Sequence, residues 1–205
     1  ARVSLLVGVL AVAAGAMAGA ILGLMAGYKG GWYNIIIMRL ADALAALPPL
    51  FFTLVLVATL SPGVRNVMIA VAVALLPGYI RLTAGQTLSL REREFVQAAR
   101  ALGCSDWHIM IRHILPNCLS SLTVQATLSV GGAMLVEGAL SFLGLGITPP
   151  TPAWGSMVQE GYRYLTTHPI LSMAPGLALM AVVFAVNMVG DGLRDFLDPR
   201  IRGEQ

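Results

Sequence analysis

"VSLLVGVLAVAAGAMAGAILGLMAGY", residues 3–28, contains no charged side chain. A helix rises about 1.5 Å per residue, so roughly 20 apolar residues cross about 30 Å of hydrocarbon, and this run is longer than that. Residues 43–64, 114–136 and 169–190 are equally free of charge and long enough. A fifth run, 66–80, is shorter and gains its length by continuing through Arg81. The composition agrees, with 57% hydrophobic and 11% charged residues and a mean hydropathy of +0.79. These runs predict an all-α, polytopic transmembrane helical bundle with five spans; a soluble core does not repeat charge-free runs of this length.

The chain opens Ala-Arg-Val-Ser, without a basic leader region or a small-residue cleavage site. Residues 3–28 therefore read as a true span rather than a signal peptide, and further sequence is expected upstream. Within this span Gly15, Gly19, Gly23 and Gly27 recur every fourth residue, a flat stripe on which a second helix can approach closely. Pro48-Pro49 and Pro77-Gly78 are expected to break or kink the second and third spans, because proline lacks the N–H that a helix interior needs.

Lysine and arginine set the orientation. Five spans place segments 27–42, 81–113 and 191–205 on one side, with Lys29, Arg39, Arg81, Arg91, Arg93, Arg100, Arg112, Arg194, Arg200 and Arg202. The other side keeps Arg2, Arg65 and Arg163. Ten against three puts the first group in the cytoplasm. The net charge of +3 is thus a matter of topology, not of nucleic-acid binding. Cys104 and Cys118 fall at or near the reducing side, which disfavours a disulfide.

One stretch departs from the oily background: "EFVQAARALGCSDWHIMIRHILPN", residues 94–117. Phe95, Ala99 and Leu102 recur at helical spacing with Val96 alongside, while Arg93, Gln97 and Arg100 occupy the other face. Gly103 interrupts, Ser105-Asp106 can cap a second helix, and Pro116 marks entry into the next span. Such a piece suits either the lipid interface or a groove on a partner protein, and periodicity alone does not choose.

Gln97-Ala98-Ala99, then Gly103, then Ile114-Leu115-Pro116 resembles the E-A-A…G…I-x-L-P loop of bacterial ABC importer permeases, with Gln97 in place of the first glutamate and His113 in place of the isoleucine. "LVEGALSFLGLGITPPTPAWGSMVQEG" (135–161) and "NMVGDGLRDFLDPRIRG" (187–203) resemble the second permease of dipeptide, oligopeptide and nickel importers, as do "ARVSLLVG" and "GLMAGYKGGW". The resemblance implies a type I permease fold over a single domain, 1–205, with the family's first span missing and a cytoplasmic coupling insert at about 89–116. It assigns ATPase coupling to Glu94, Phe95, Val96, Gln97, Ala98, Ala99, Arg100, Ala101, Leu102 and Gly103. It implies a homologous second permease, two cytoplasmic ABC ATPase subunits, an extracytoplasmic solute-binding protein and a bacterial inner membrane. The implied activity is import of dipeptides or oligopeptides, with nickel or glutathione as alternative cargoes. A rival from another class is an ATP-independent channel or secondary carrier, but no inverted repeat or intramembrane ion site is legible.

The chain has one lysine, Lys29, and no phosphate-cradling G-x-x-x-x-G-K-[ST], so ATP and Mg are expected on partner subunits and no cofactor on this chain. His108 and His113 stand five apart, off a shared α-helical face, and are not expected to bind metal. His168 reads as interfacial, and no Ser/His/Asp arrangement is legible. Trp154, with Pro149, Pro150 and Pro152, reads as a stiff external loop. Glu137 lies about 31 Å of helix beyond Pro116, near the external interface. It is expected there either as a solvated carboxylate or as a pathway residue meeting the amino terminus of a peptide.

Overall fold

The computed structural model describes residues 2–147 and 150–197, and the regular structure among them is helical throughout. Thr148-Pro149 and the end of the 187–203 motif lie outside the described residues. In chain order the helices are α1 (Arg2–Lys29), α2 (Gly31–Ala45), α3 (Pro49–Leu60), α4 (Val64–Leu90), α5 (Glu94–Ala101), α6 (Asp106–Ile109), α7 (Leu115–Phe142), α8 (Trp154–Tyr162) and α9 (Ile170–Leu197). A π-helical turn, Met110–Ile114, joins α6 to α7. Among the described residues four stretches are long and apolar enough to cross a membrane, and α2 with α3 makes a fifth if the broken pair is one span.

That break falls at Pro48-Pro49, where one was expected within the run 43–64, and the two helices meet at 89°. Pro48 is held extended (φ −56°, ψ 138°) because the following proline excludes it from the α region, and Pro49 then sits in the first turn of α3, where its missing N–H costs nothing. Pro77 behaves differently: α4 continues through it from Val64 to Leu90. Pro116 falls just after the π-turn, where the Leu115 N–H reaches back to the Met110 carbonyl. The wider winding absorbs the donor that proline cannot supply.

The chain divides into two compact units, one of Gly15–Leu47 with Leu75–Thr123 and one of Ala1–Ala14, Pro48–Ala74 and Val124–Gln205. In the first unit the glycine stripe packs α1 on α4. A methyl group at Gly19 would lie 2.5 Å from Tyr79 Cβ, one at Gly23 2.6 Å from the Ile80 carbonyl oxygen, and one at Gly27 2.7 Å from the Ala84 carbonyl oxygen. Gly15 is also buried. Both numberings rise together along this contact, so α1 and α4 run parallel here, and the intervening chain must return to its starting side. Ala26, Ile37, Ala41, Ile80 and Ala84 form the core beneath it. Gly30 and Gly31 turn the chain from α1 to α2 with positive φ (64° and 49°).

The second unit is organised around α7. Gly131 faces Asn187, Gly138 faces Leu179 and Gly190 faces Leu128, so α7 and α9 run antiparallel. The segment read as an external loop is in part a helix, since Trp154 heads α8. That helix is clamped at both ends: Gly155 lies directly against the Gly138 carbonyl, and Gly161 lies against the backbone of Leu171 and Ser172. The Ser172 hydroxyl donates to the Val158 carbonyl (3.3 Å), and Phe142 meets Tyr162 edge to face at 5.9 Å.

Candidate coupling site

The insert begins where α4 ends. Arg93 caps α5 from an extended conformation, with Glu94 in the first turn and Arg100 in the last, each opposite in sign to the partial charge of its helix end. Gln97, which stands where the resembling motif has glutamate, donates its side-chain amide to the Glu92 carbonyl (3.1 Å). It thus holds the turn ahead of α5 without needing charge.

The end of α5 explains Gly103. The Cys104 N–H reaches the Ala99 carbonyl (3.1 Å) and the Gly103 N–H reaches the Arg100 carbonyl (3.0 Å), the paired bonds of a Schellman cap. That cap needs a left-handed residue, and Gly103 has φ 80° with open space around it. Ser105 then caps α6, its hydroxyl accepting from the His108 N–H (3.4 Å).

The expected apolar face divides in two. Val96 and Ala99 are buried within the chain, whereas Phe95 and Leu102 point outward, Leu102 at 84% exposure. Trp107 on α6 is 61% exposed. Of the remaining insert residues, Glu94, Gln97, Ala98, Arg100, Ala101 and Gly103 are exposed as well. Val96 and Ala99 are therefore the residues that seat α5 on its own chain. Phe95 and Leu102, with Ala98 and Ala101, form the outward surface. Beside Phe95 opens a cleft of about 790 Å³ lined by Leu90, Glu92, Arg93, Glu94 and Asn117.

Four side chains that the sequence did not single out for a shared role, Tyr28, Arg91, Arg100 and Asp106, bind the insert to the end of α1. Tyr28 is buried, and its hydroxyl donates to Asp106 Oδ1 at 3.0 Å. The Arg100 guanidinium lies over the same ring, 5.5 Å from its centre. Hydrogen bonding and charge interaction with Tyr28, followed by the charges of Asp106 and Glu92, hold Arg100 above its ordinary pKa. Arg91 Nη1 donates to the Gly27 carbonyl (3.1 Å) while its Nε pairs with Glu92 (2.9 Å). The only sequence signal was an aromatic closing a charge-free run, which reads equally as an interfacial anchor.

The histidines are closer than expected. The π-turn between them brings the His108 and His113 rings to 5.6 Å, edge to face, because its wider winding aligns residues five apart. No group of three metal-ligating side chains occurs among the described residues.

Glu137 corrects the solvated reading outright, since its side chain is fully buried within its unit. One carboxyl oxygen accepts from the Ser141 hydroxyl (2.7 Å), and that hydroxyl accepts from the Ile147 N–H (2.9 Å). The other oxygen has no hydrogen-bond partner. Glu137 does lie far along α7 from Pro116, but the chain folds residues 143–147 and α8 back over the C-terminal end of that helix. Glu137→Ala is expected to lower the thermal midpoint of the purified protein by several degrees, because it opens a cavity and leaves the Ser141–Ile147 link without its anchor. Glu137→Gln keeps an acceptor for Ser141 and is expected to lose less.

Among the described residues, then, the chain is a set of candidate membrane spans interrupted by a short helical insert with an exposed apolar surface. Residues 19–203 match the family described as binding-protein-dependent transport system inner membrane component, and the chain belongs to that family. It is 45% identical over 203 residues to a glutathione transport system permease protein, GsiD, of Escherichia coli O6:K15:H31, covering 99% of this chain and 67% of that protein. It is 43% identical over 202 residues to a dipeptide transport system permease protein, DppC, of Alkalihalophilus pseudofirmus, covering 98% and 66% respectively. In fold it is similar to a chain of the inward-facing MetNI methionine ABC transporter, with TM-score 0.74, 15% identity and coverage of 96% and 94%. The chain is thus an ABC importer permease of the dipeptide, oligopeptide and nickel group, with the type I permease fold.

Proposed function

We propose that this permease forms one half of a peptide importer's membrane pore, pairing with a homologous permease. Two cytoplasmic ABC ATPase subunits hold ATP and Mg, and a solute-binding protein delivers dipeptides or oligopeptides from the outer side. The observation that carries the reading is the outward surface of Phe95, Ala98, Ala101 and Leu102, presented by a helix whose inner face and both ends are fastened to its own chain. A segment that only rested on lipid would not need a tie to the first span. ATP closure of the ATPase dimer moves this surface, and the spans alternate their access. Glutathione, named for one set of relatives, is itself a small peptide and remains within the proposed cargo class; nickel would be carried by the same architecture. Glu137 enters as a packing residue at the outer end of α7, and any contact with cargo requires a state in which its carboxyl is uncovered.

The cargo is tested by purifying the complex with its binding protein and identifying the ligand that the binding protein carries. A peptide supports the proposal, and a free metal ion replaces it with the nickel alternative. Sidedness has its own test in single-cysteine variants of a cysteine-free protein. Ser89→Cys is expected to resist a membrane-impermeant thiol reagent in intact cells and to react after lysis, while Thr151→Cys reacts from outside. Labelling of Ser89→Cys in intact cells reverses the orientation and removes the insert from reach of ATP.

A further inference from the structure

We infer that Tyr28 is the positioning residue through which the insert moves the first span. The inference rests on the proposed ATPase-facing role of the insert and adds the route by which its motion enters the membrane. The insert is joined by the chain to α4 on one side and to the π-turn and α7 on the other. Without a further link, α1 would feel its displacement only through general packing.

Tyr28 supplies that link. It ends the charge-free run of α1, is buried, and gives its hydroxyl proton to Asp106 of α6, while Arg100 of α5 covers its ring. One side chain of α1 thus touches both helices of the insert. A residue away, the Gly27 carbonyl receives Arg91 from the turn that leads into the insert. Gly27 is itself pressed against Ala84 and Thr87 of α4. A displacement of α5 and α6 therefore pulls on the last turn of α1, and the backbone contact at Gly27 passes the load to α4. The hydroxyl–carboxylate bond gives the link direction, because it joins one donor to one acceptor and resists sliding in a way that apolar contact does not.

Tyr28→Phe removes the donor and keeps the ring, its burial and its approach to Arg100. Asp106→Asn keeps the shape and removes the charge. In the assembled importer, with its binding protein, Tyr28→Phe is expected to leave complex yield and stimulated ATP hydrolysis within twofold of the parent. Uptake per ATP hydrolysed should fall about tenfold, the weight of a hydrogen bond to a charged acceptor. Asp106→Asn still offers an oxygen to the Tyr28 hydroxyl and should lose less, whereas Asp106→Ala removes the acceptor and should match Tyr28→Phe. The double variant Tyr28→Phe with Asp106→Ala should be no worse than either single one, since the two groups act as a unit. Unchanged uptake per ATP in Tyr28→Phe overturns the inference, as do fully additive losses in the double variant. Equal loss of hydrolysis and uptake at normal complex yield also overturns it, because a merely structural role moves both together. Leu102→Glu in the same assay separates this inference from the reading beneath it. If Leu102→Glu uncouples and Tyr28→Phe does not, the route through α1 is wrong and the docking surface stands. If Leu102→Glu behaves as the parent, the docking surface itself is wrong.

Discussion

Gly23→Val is expected to eliminate assembled importer from the membrane. The added Cβ would lie 2.6 Å from the Ile80 carbonyl oxygen, 2.7 Å from Thr83 Cβ and 3.1 Å from the Ala84 N. Two of these are backbone atoms of α4, so no side-chain rotation relieves the clash, and α1 must move away from α4 along its length. Overpacking of this kind costs about 1–3 kcal/mol where side chains yield, and backbone contact places this site at the upper end or beyond. The C-terminal ends of the two helices also carry the ties to the insert, so separation disturbs the insert as well. Quantifying the permease and its partners after detergent extraction provides the check. Normal yield and normal uptake would show that the α1–α4 contact is not built on this glycine. Gly78→Ala is the matched control, because a methyl group there meets nothing within 4 Å on the same α4 helix.

Leu102→Glu is expected to leave the permease folded and to disconnect it from ATP. Leu102 stands at the C-terminal end of α5, 84% exposed, so its side chain carries almost none of the fold. In the proposed complex it is covered by an ATPase, and a carboxylate buried there without a partner costs several kcal/mol. The negative charge also sits at the negative end of the α5 dipole, which adds to the penalty. The expected result is a permease present at the parental level in the membrane, with uptake reduced by at least tenfold and less ATPase retained on purification. Parental uptake would sink the docking surface. Ala99→Glu would be a poorer probe, because Ala99 is buried within the chain and its substitution unseats α5 whether or not a partner docks.

Several elements were legible in the one-dimensional pattern because they answer to local physics. A charge-free run of sufficient length has no stable alternative to a helix in lipid, since every backbone polar group must be satisfied within the segment. This sets α1, α7 and α9, and it sets α4 once the run is allowed to continue through Arg81. A glycine at every fourth residue predicts close approach of a second helix. The Gly103 turn and the Ser105 cap follow from residue chemistry at single positions. The family was legible for a related reason: its motifs are short and contiguous, and the insert is a polar island in an apolar chain.

Tertiary structure decided what contiguity does not encode. The stripe on α1 says that something packs there, and only the fold makes it α4, in parallel, with Tyr79, Ile80 and Thr87 as neighbours. Two prolines of similar appearance had opposite outcomes: Pro48-Pro49 breaks a helix while Pro77 is absorbed within one. The tandem prolines exclude Pro48 from the helical region, whereas Pro77 follows Leu76, which stays helical within α4. Periodicity put Phe95, Val96, Ala99 and Leu102 on one apolar face, but burial separates Val96 and Ala99 from Phe95 and Leu102, because a helix touching its own chain on one side has an edge to either flank. Glu137 was placed correctly along its helix and wrongly with respect to water, since distance along α7 says nothing of the loop that folds back over it. Tyr28 and Asp106 are 78 positions apart, and nothing short of the folded chain joins a hydroxyl at the end of the first span to a carboxylate in the insert.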